Sequence, residues 1–402
     1  MHILLIHQAF AAINEPGGTR HHELARYLAA QGHRVTVVAS PISYLTGKDS
    51  RAGTAEANIH IIRPYVYPHW HRSFFHRLLS FFSFMASSFW AGLRVRDVDL
   101  VWGTSPPIFQ GVTAWALARL KRARFLFEVR DLWPEFAVAV GVLTNPLLIG
   151  ASEWLERFLY RRADTVVVNS PGFLEHVRGR GARRVDLVPN GADTRMFDPQ
   201  AEGNAFREAH GLEGKFVVLY AGAHGLSNDL DVVLDAAARL RNRPQIAIVL
   251  LGDGKEKPRL KRRAAEMGLE NVHFVDSIPK TEMPAALAAA DACLAILKPV
   301  EMYKTVYPNK VFDYMAAGRP VILAIEGVIR EVVEAAGGGL PVPPGEADAL
   351  AEAIRTLEAD RALCRRLGAN GRAYVEAHFD RADLAARMET VVREMVEPEP
   401  EV

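Results

Sequence analysis

"MHILLIHQAFAAINEPGGTRHHELARYLAAQGHRVTVVAS", Met1 to Ser40, decides the fold. MHILLIH is a short apolar run ended by a loop that contains Gly17 and Gly18. TRHHELARYLAAQG then reads as a helix with a glycine stop, and HRVTVVAS as a second strand. Strand, helix, strand in one short stretch is a βαβ unit, which makes the sheet parallel.

Outward from that unit, further strand-like runs appear at NIHIIRPYV, DLVWGT, RFLFEV and TVVVNS, with helical segments between them. QAEGNAFREAHGLEG is polar and has no strand, and the pattern restarts at FVVLYAGAHG. It continues through IAIVLLGDG, VHFVDSI and MPAALAAADACLAIL. The expected fold class is therefore α/β, with a Rossmann-like domain over residues 1–200, a second over 201–378, and a C-terminal helix with an acidic, fraying tail over 379–402. Two such domains in tandem predict a cleft lined by the carboxyl ends of both sets of strands, where ligands of open α/β sheets bind.

A chain of 402 residues suits two cores. Its 48 basic and 47 acidic side chains leave no global field to recruit nucleic acid, so any anion site must be local. Cys293 and Cys364 show no metal-ligand spacing and read as buried thiols in a reducing compartment. The first residues lack a basic region before a long apolar run, which predicts a cytoplasmic protein. Leu78 to Leu93 is uncharged and includes Phe81, Phe82, Phe89 and Trp90 between basic flanks, among them Arg77 and Arg94. It is short of the about 20 residues of a membrane span, so it reads either as an interfacial face suited to anionic headgroups or as a core helix.

Four glycine-bearing or helix-opening stretches follow predicted strands or precede one. Gly17 and Gly18 let backbone approach a ligand, and the helix start behind them offers N–H groups to an anion. Gly222, His224 and Gly225 form the counterpart after the first strand of the second domain; His224 reads as a surface residue or a ligand contact. Gly252 lies in LLGDG, a turn with a possible place on the ligand. In KTVYPNKVFDYMAAGRPVILA, Lys304 to Ala324, Pro308 opens a helix and Gly318 ends it. Lys310 and Asp313 are three apart and share a face. A carboxylate there can accept two hydrogen bonds from vicinal hydroxyls, as on a ribose, and a lysine can balance phosphate. The plain alternative is an exposed ion pair, worth little. Arg130 and Asp131 close a strand in FEVRDLWPE, either reaching the cleft or bracing the domain. The triplets Asp97-Val98-Asp99 and Asp229-Leu230-Asp231 lie away from strand ends, so no metal site is expected.

The order and spacing of GGTRHHELARYLAAQGHRVTVVAS, VPNGADTRMFDP, LLGDG, VHFVDSIPKTEMPAALAAADACLAIL, PNKVFDYMAAGRPVI and GGGLPVPPGEADALAEAI resemble the family 4 retaining glycosyltransferases of the GT-B fold, over nearly the whole chain. EVRDLWPE and KTVYPNK are similar to the amino-sugar transferases of O-antigen and capsule assembly. The resemblance implies transfer of a sugar, with retention, from a nucleotide diphosphate to a hydroxyl acceptor. It gives Asp313 the nucleotide ribose, Arg130 and Asp131 the transferred sugar, and Asn309 and Thr305 a place on the donor. Thr305 stands where the family has its first acid, eight residues before Asp313, and the family's basic pair is absent from AGAHGLSNDLD. Lys310 is the candidate replacement for that charge. The implied donor is a UDP-sugar without a metal, and the implied acceptor a lipid-linked saccharide at the inner membrane face. A nucleotide-sugar 2-epimerase or a non-catalytic nucleotide-sugar-binding protein would use the same residues.

Overall fold

A computed structural model describes residues 1–15, 17–43, 47, 57–68 and 74–397, apart from the side chain of Phe74. The chain divides into two compact units, Met1–Pro189 with Ala382–Val402, and Asn190–Arg381.

Among the described residues, the first unit holds seven strands: β1 (His2–Ile6), β2 (Arg34–Val38), β3 (Ile59–Ile62), β4 (Leu100–Ser105), β5 (Arg124–Val129), β6 (Thr165–Val168) and β7 (Val185–Leu187). They pair in parallel in the order β3-β2-β1-β4-β5-β6-β7. The second unit repeats the plan with β8 (Phe216–Ala221), β9 (Ile246–Leu251), β10 (Val272–Val275), β11 (Ala292–Ile296), β12 (Val321–Ala324) and β13 (Gly339–Pro341), in the parallel order β10-β9-β8-β11-β12-β13. Strands β1, β8 and β9 are buried along their whole length, because helices cover both faces of a parallel sheet and leave no polar side. In each sheet the order reverses beside the first strand, between β1 and β4 and between β8 and β11, which is where open α/β sheets present their carboxyl ends to ligands.

The crossing between units falls at Pro189–Asn190, ahead of the residue-200 boundary expected from composition. The last helix, Arg381–Val396, belongs to the first unit from Ala382 onward. Leu384, Met388, Val392 and Met395 join Ile3, Leu5, Leu24 and Val35 in one buried cluster. Inside the second unit the two crossing segments are bonded to each other: Ala192 N donates to Phe379 O at 3.1 Å and Arg381 N to Ala192 O at 2.8 Å. The acidic tail beyond residue 397 lies outside the described residues. Cys293 and Cys364 are free and buried.

Candidate active site

In the second unit, three strand ends are stitched backbone to backbone. Gly222 N donates to Leu251 O at 2.9 Å, Gly252 N to Val275 O at 3.0 Å, and His224 N to Asp253 O at 2.8 Å. The approach is so close that a Cβ on Gly252 would lie 1.9 Å from the Gly222 carbonyl oxygen, and Gly252 also has φ +144°. Only glycine fits. Lys257, whose place in the site the sequence did not announce, closes the same loops: its ammonium donates to Gly252 O at 2.8 Å, Val275 O at 3.2 Å and Asp276 Oδ1 at 2.5 Å. Gly225 keeps ordinary extended backbone and opens a 3-10 turn at Leu226–Asn228.

His224 is not a surface residue. It is fully buried between Tyr220 and Phe274, and among the described residues neither ring nitrogen has a hydrogen-bond partner. Burial first, then the charges of Lys257 and Lys310, push its imidazole down to about 4, so it is neutral.

The helix Asn309–Ala316 begins after Pro308, as the proline and Gly318 predict. Lys310 and Asp313 do not form the exposed pair considered above. Lys310 is partly buried, with its ammonium 3.8 Å from the centroid of the Tyr220 ring and beside Gly222, where a Cβ would lie 2.5 Å from Nζ. Among the described residues it makes no hydrogen bond or ion pair. Burial lowers its pKa to about 7. Asp313 is 9% exposed and takes Lys280 Nζ at 2.5 Å and Asn309 Nδ2 at 3.2 Å on Oδ2. Asn309 Oδ1 in turn accepts from Arg381 at 2.9 Å, so both ends of its amide are engaged in bracing the helix start. Thr305 ends a 3-10 turn, Glu301–Thr305, and donates to Met302 O at 2.7 Å. Glu301 pairs with Lys304 at 2.7 Å.

In the first unit, a buried polar chain runs along the carboxyl ends of β1, β4 and β5. Arg130 donates to His7 Nε2 at 3.1 Å and His21 Nδ1 at 3.3 Å. With Nδ1 occupied as acceptor, His21 Nε2–H donates to Glu128 Oε2 at 2.6 Å, and His7 Nδ1–H meets Thr104 Oγ1 at 3.0 Å. Glu128 also accepts from Arg20 Nε at 2.9 Å and Trp102 Nε1 at 3.1 Å. Burial alone would raise the Glu128 carboxyl, but His21 and Arg20 outweigh it and hold the group well below the usual range. Burial holds His7 well below its ordinary value and His21 down to about 4, so both rings are neutral acceptors for Arg130.

Among the described residues, Asp131 Oδ1 is buried without a hydrogen-bond partner. Burial, opposed by Arg130, pushes the Asp131 carboxyl up to about 7. Glu135, at the end of the same motif, turns away to Arg180 at 3.0 Å and His176 at 3.4 Å. Gly17 has φ +148° with a Cβ position 2.9 Å from Ala11 Cβ, whereas Gly18 faces open space. The two Asp-x-Asp triplets have structural partners: Asp99 accepts from His2 N at 2.7 Å, and Asp231 takes Arg259 at 2.6 and 2.9 Å.

Leu78 to Leu93 falls in one helix, Phe74–Arg94. Phe75, Leu79, Phe82, Ala86, Trp90 and Leu93 recur at three- and four-residue spacing and are all exposed, while Phe81 and Phe89 are partly covered. The helix therefore packs one face and leaves an apolar stripe on the other. Among the described residues, no helix is long and apolar enough to cross a membrane.

Two family models divide the chain as its sheets do. "Glycosyl transferase 4-like domain" matches residues 17–191 and "Glycosyl transferases group 1" matches residues 203–374. The chain belongs to the family 4 glycosyltransferases. WcaI of Escherichia coli K12, named as a colanic acid biosynthesis glycosyl transferase, is 27% identical over 352 residues, which is 83% of this chain and 86% of WcaI. Among solved structures, sucrose-phosphate synthase from Thermosynechococcus elongatus superposes with a TM-score of 0.78 at 23% identity, covering 98% of each chain. Anabaena HepE in complex with UDP and glucose superposes with a TM-score of 0.75 at 19% identity, covering 98% of this chain and 100% of HepE. As a family 4 glycosyltransferase the chain has the GT-B fold, and its two sheets are the two Rossmann-like domains of that fold.

Proposed function

We propose that this glycosyltransferase moves an N-acetylated amino sugar, with retention, from UDP to a hydroxyl of a lipid-linked saccharide in cell-surface polysaccharide assembly. The observation that carries the donor half is Lys310: a lysine with no ion pair among the described residues, at the start of a helix, beside glycine loops that close three strand ends. Diphosphate oxygens would complete that ammonium, and the helix start adds backbone N–H groups. Asp313 then takes the ribose hydroxyls, with Thr305 and Asn309 on the donor side. UDP as the carrier is supported by the UDP complex of Anabaena HepE, and the polysaccharide setting by the name of WcaI.

For transfer, the bond from the anomeric carbon to the oxygen of the distal phosphate breaks, with its electron pair leaving on that oxygen of the nucleotide diphosphate. The acceptor oxygen bonds on the same face, and its proton passes to the departing phosphate. Lys310 stabilises the charge that develops there, so no metal is needed in this scheme. Arg130 and Asp131 address the transferred sugar and the incoming hydroxyl. Exclusion of water keeps hydrolysis from competing.

The acceptor half rests on the Phe74–Arg94 helix. Its stripe of Phe75, Leu79, Phe82, Trp90 and Leu93 ends at exposed Arg94 and Arg96, which suits the inner, anionic face of a membrane where a lipid-linked acceptor resides.

Calorimetry with UDP, GDP, ADP and TDP against wild type and Asp313→Ala tests the donor assignment. UDP should bind tightest and lose affinity in the variant. Equal binding by the variant, or no nucleotide binding at all, overturns it.

A further inference from the structure

The acid expected eight residues before Asp313 is a threonine, and Asp313 itself does not stand alone. Lys280 lies 33 residues earlier, in the 3-10 turn Lys280–Glu282 that follows β10. Its ammonium reaches Asp313 Oδ2 at 2.5 Å and lies 4.9 Å from the centroid of the Phe197 ring. Both partners are nearly out of solvent, with side chains 10% and 12% exposed. Such a pair is held on three sides: Phe197 packs the ammonium, Asn309 shares Oδ2, and Arg381 fixes Asn309. A buried carboxylate that lost this cation would keep the desolvation cost and lose the compensation.

We infer that Lys280 is the positioning residue for nucleotide recognition: it anchors one oxygen of Asp313 so that the carboxylate meets the ribose hydroxyls in a fixed orientation. This rests on the ribose role of Asp313 proposed above. The pairing has a second effect. With Thr305 uncharged and Asp313 paired with Lys280, less negative charge opposes Lys310. A site of that charge favours a diphosphate over a bare nucleoside.

The readout is sugar discrimination in binding. UDP, GDP and ADP, each beside its 2′-deoxy form, are titrated calorimetrically into wild type, Asp313→Asn, Lys280→Met and Lys280→Arg, with the thermal transition of each protein recorded. Wild type should prefer the ribonucleotide by about tenfold or more, the loss expected for one hydrogen bond to a charged group. Lys280→Met should bring the ratio close to one, and Lys280→Arg should restore most of it. A merely structural lysine would lower the thermal transition and leave the ratio unchanged. If Lys280→Met keeps the wild-type ratio while Asp313→Asn loses it, the inference about Lys280 is wrong and the ribose role stands. If Asp313→Asn also keeps the ratio, or no nucleotide binds wild type, the ribose role itself fails, and the inference with it. Should Lys280→Met not fold, Lys280→Gln, which removes the charge and keeps a hydrogen-bond donor, decides: a ratio well below that of wild type supports the pairing, and the wild-type ratio overturns it.

Discussion

The ammonium of Lys310 sits 3.8 Å from the centroid of the Tyr220 ring, and among the described residues no carboxylate is paired with it. The ring face offsets part of the desolvation of the cation, which otherwise lowers its pKa to about 7. A diphosphate at this position would favour the protonated form, so at pH 8 binding should draw protons from solution. Calorimetry of UDP in two buffers of different ionisation enthalpy should give an uptake of a large fraction of one proton at pH 8 and little at pH 6. Lys310→Arg, charged throughout, should abolish the uptake, and Lys310→Ala should lower turnover by on the order of a hundredfold, as loss of one electrostatic contact to a developing charge does. Near-normal turnover in Lys310→Ala would remove the lysine from the mechanism.

Gly252→Ala and Gly18→Ala form a matched pair. A methyl on Gly252 meets backbone oxygen at 1.9 Å in a left-handed conformation, and a methyl on Gly18 meets nothing within 4 Å. Urea unfolding should show a loss of about 2 kcal/mol or more for the first and about 0.5 kcal/mol or less for the second. Nucleotide affinity should fall with Gly252→Ala, because the loop it supports carries Gly222 and His224. A Gly252→Ala protein as stable as wild type would contradict the close approach.

Glu128→Gln removes a buried charge that faces Arg20 directly and Arg130 through His21. About 3 kcal/mol of stability should go, the usual result of breaking a buried pair from one side. Activity in the surviving protein should drop through kcat more than KM, since Arg130 loses its fixed direction. An unchanged kcat would mean that the polar chain only holds the sheet together.

Acid should act through the imidazoles. His21 and His224 have folded pKa values of about 4 against an ordinary 6.5, so the unfolded chain binds more protons between those limits. Stability therefore rises with pH across that window and is lost as pH falls from 6.5 toward 4, by on the order of 3 kcal/mol per group. A denaturant midpoint that stays flat from pH 7 to 4.5 would speak against neutral buried rings. His21→Gln should flatten part of the slope.

Phe82→Ser with Trp90→Ser keeps the buried face of the Phe74–Arg94 helix and takes two large groups off its exposed stripe. Co-sedimentation with vesicles containing anionic lipid should fall about tenfold or more, at about 1.5–3 kcal/mol for each side chain no longer inserted. Wild-type protein that fails to co-sediment would leave the stripe without its assigned occupant.

The two parallel sheets were legible in the sequence because β-strands buried on both faces read as unbroken apolar runs, and glycine and proline mark where they stop; the strand order within each sheet was not. The helix at Asn309 was legible for the same reason. The polar chain of the first unit was not: His7, His21, Glu128 and Trp102 lie far apart in sequence and meet only when β1, β4 and β5 align. Lys280 escaped for a similar reason, since a lysine in a turn looks solvated until the fold sets a carboxylate 2.5 Å away. For His224 the sequence left open a surface residue or a ligand contact, because local sequence cannot report that Tyr220 and Phe274 close over it.

The return of the last helix to the first unit has a bearing on how the chain comes off the ribosome. Residues 1–189 are synthesised before the helix that completes their core, so the apolar surface that receives Leu384, Met388, Val392 and Met395 stays uncovered until those residues have been made. Asn190–Arg381 is a continuous insert and can complete its own core in the meantime. The amino-terminal unit, though begun first, completes its core after the unit inserted into it.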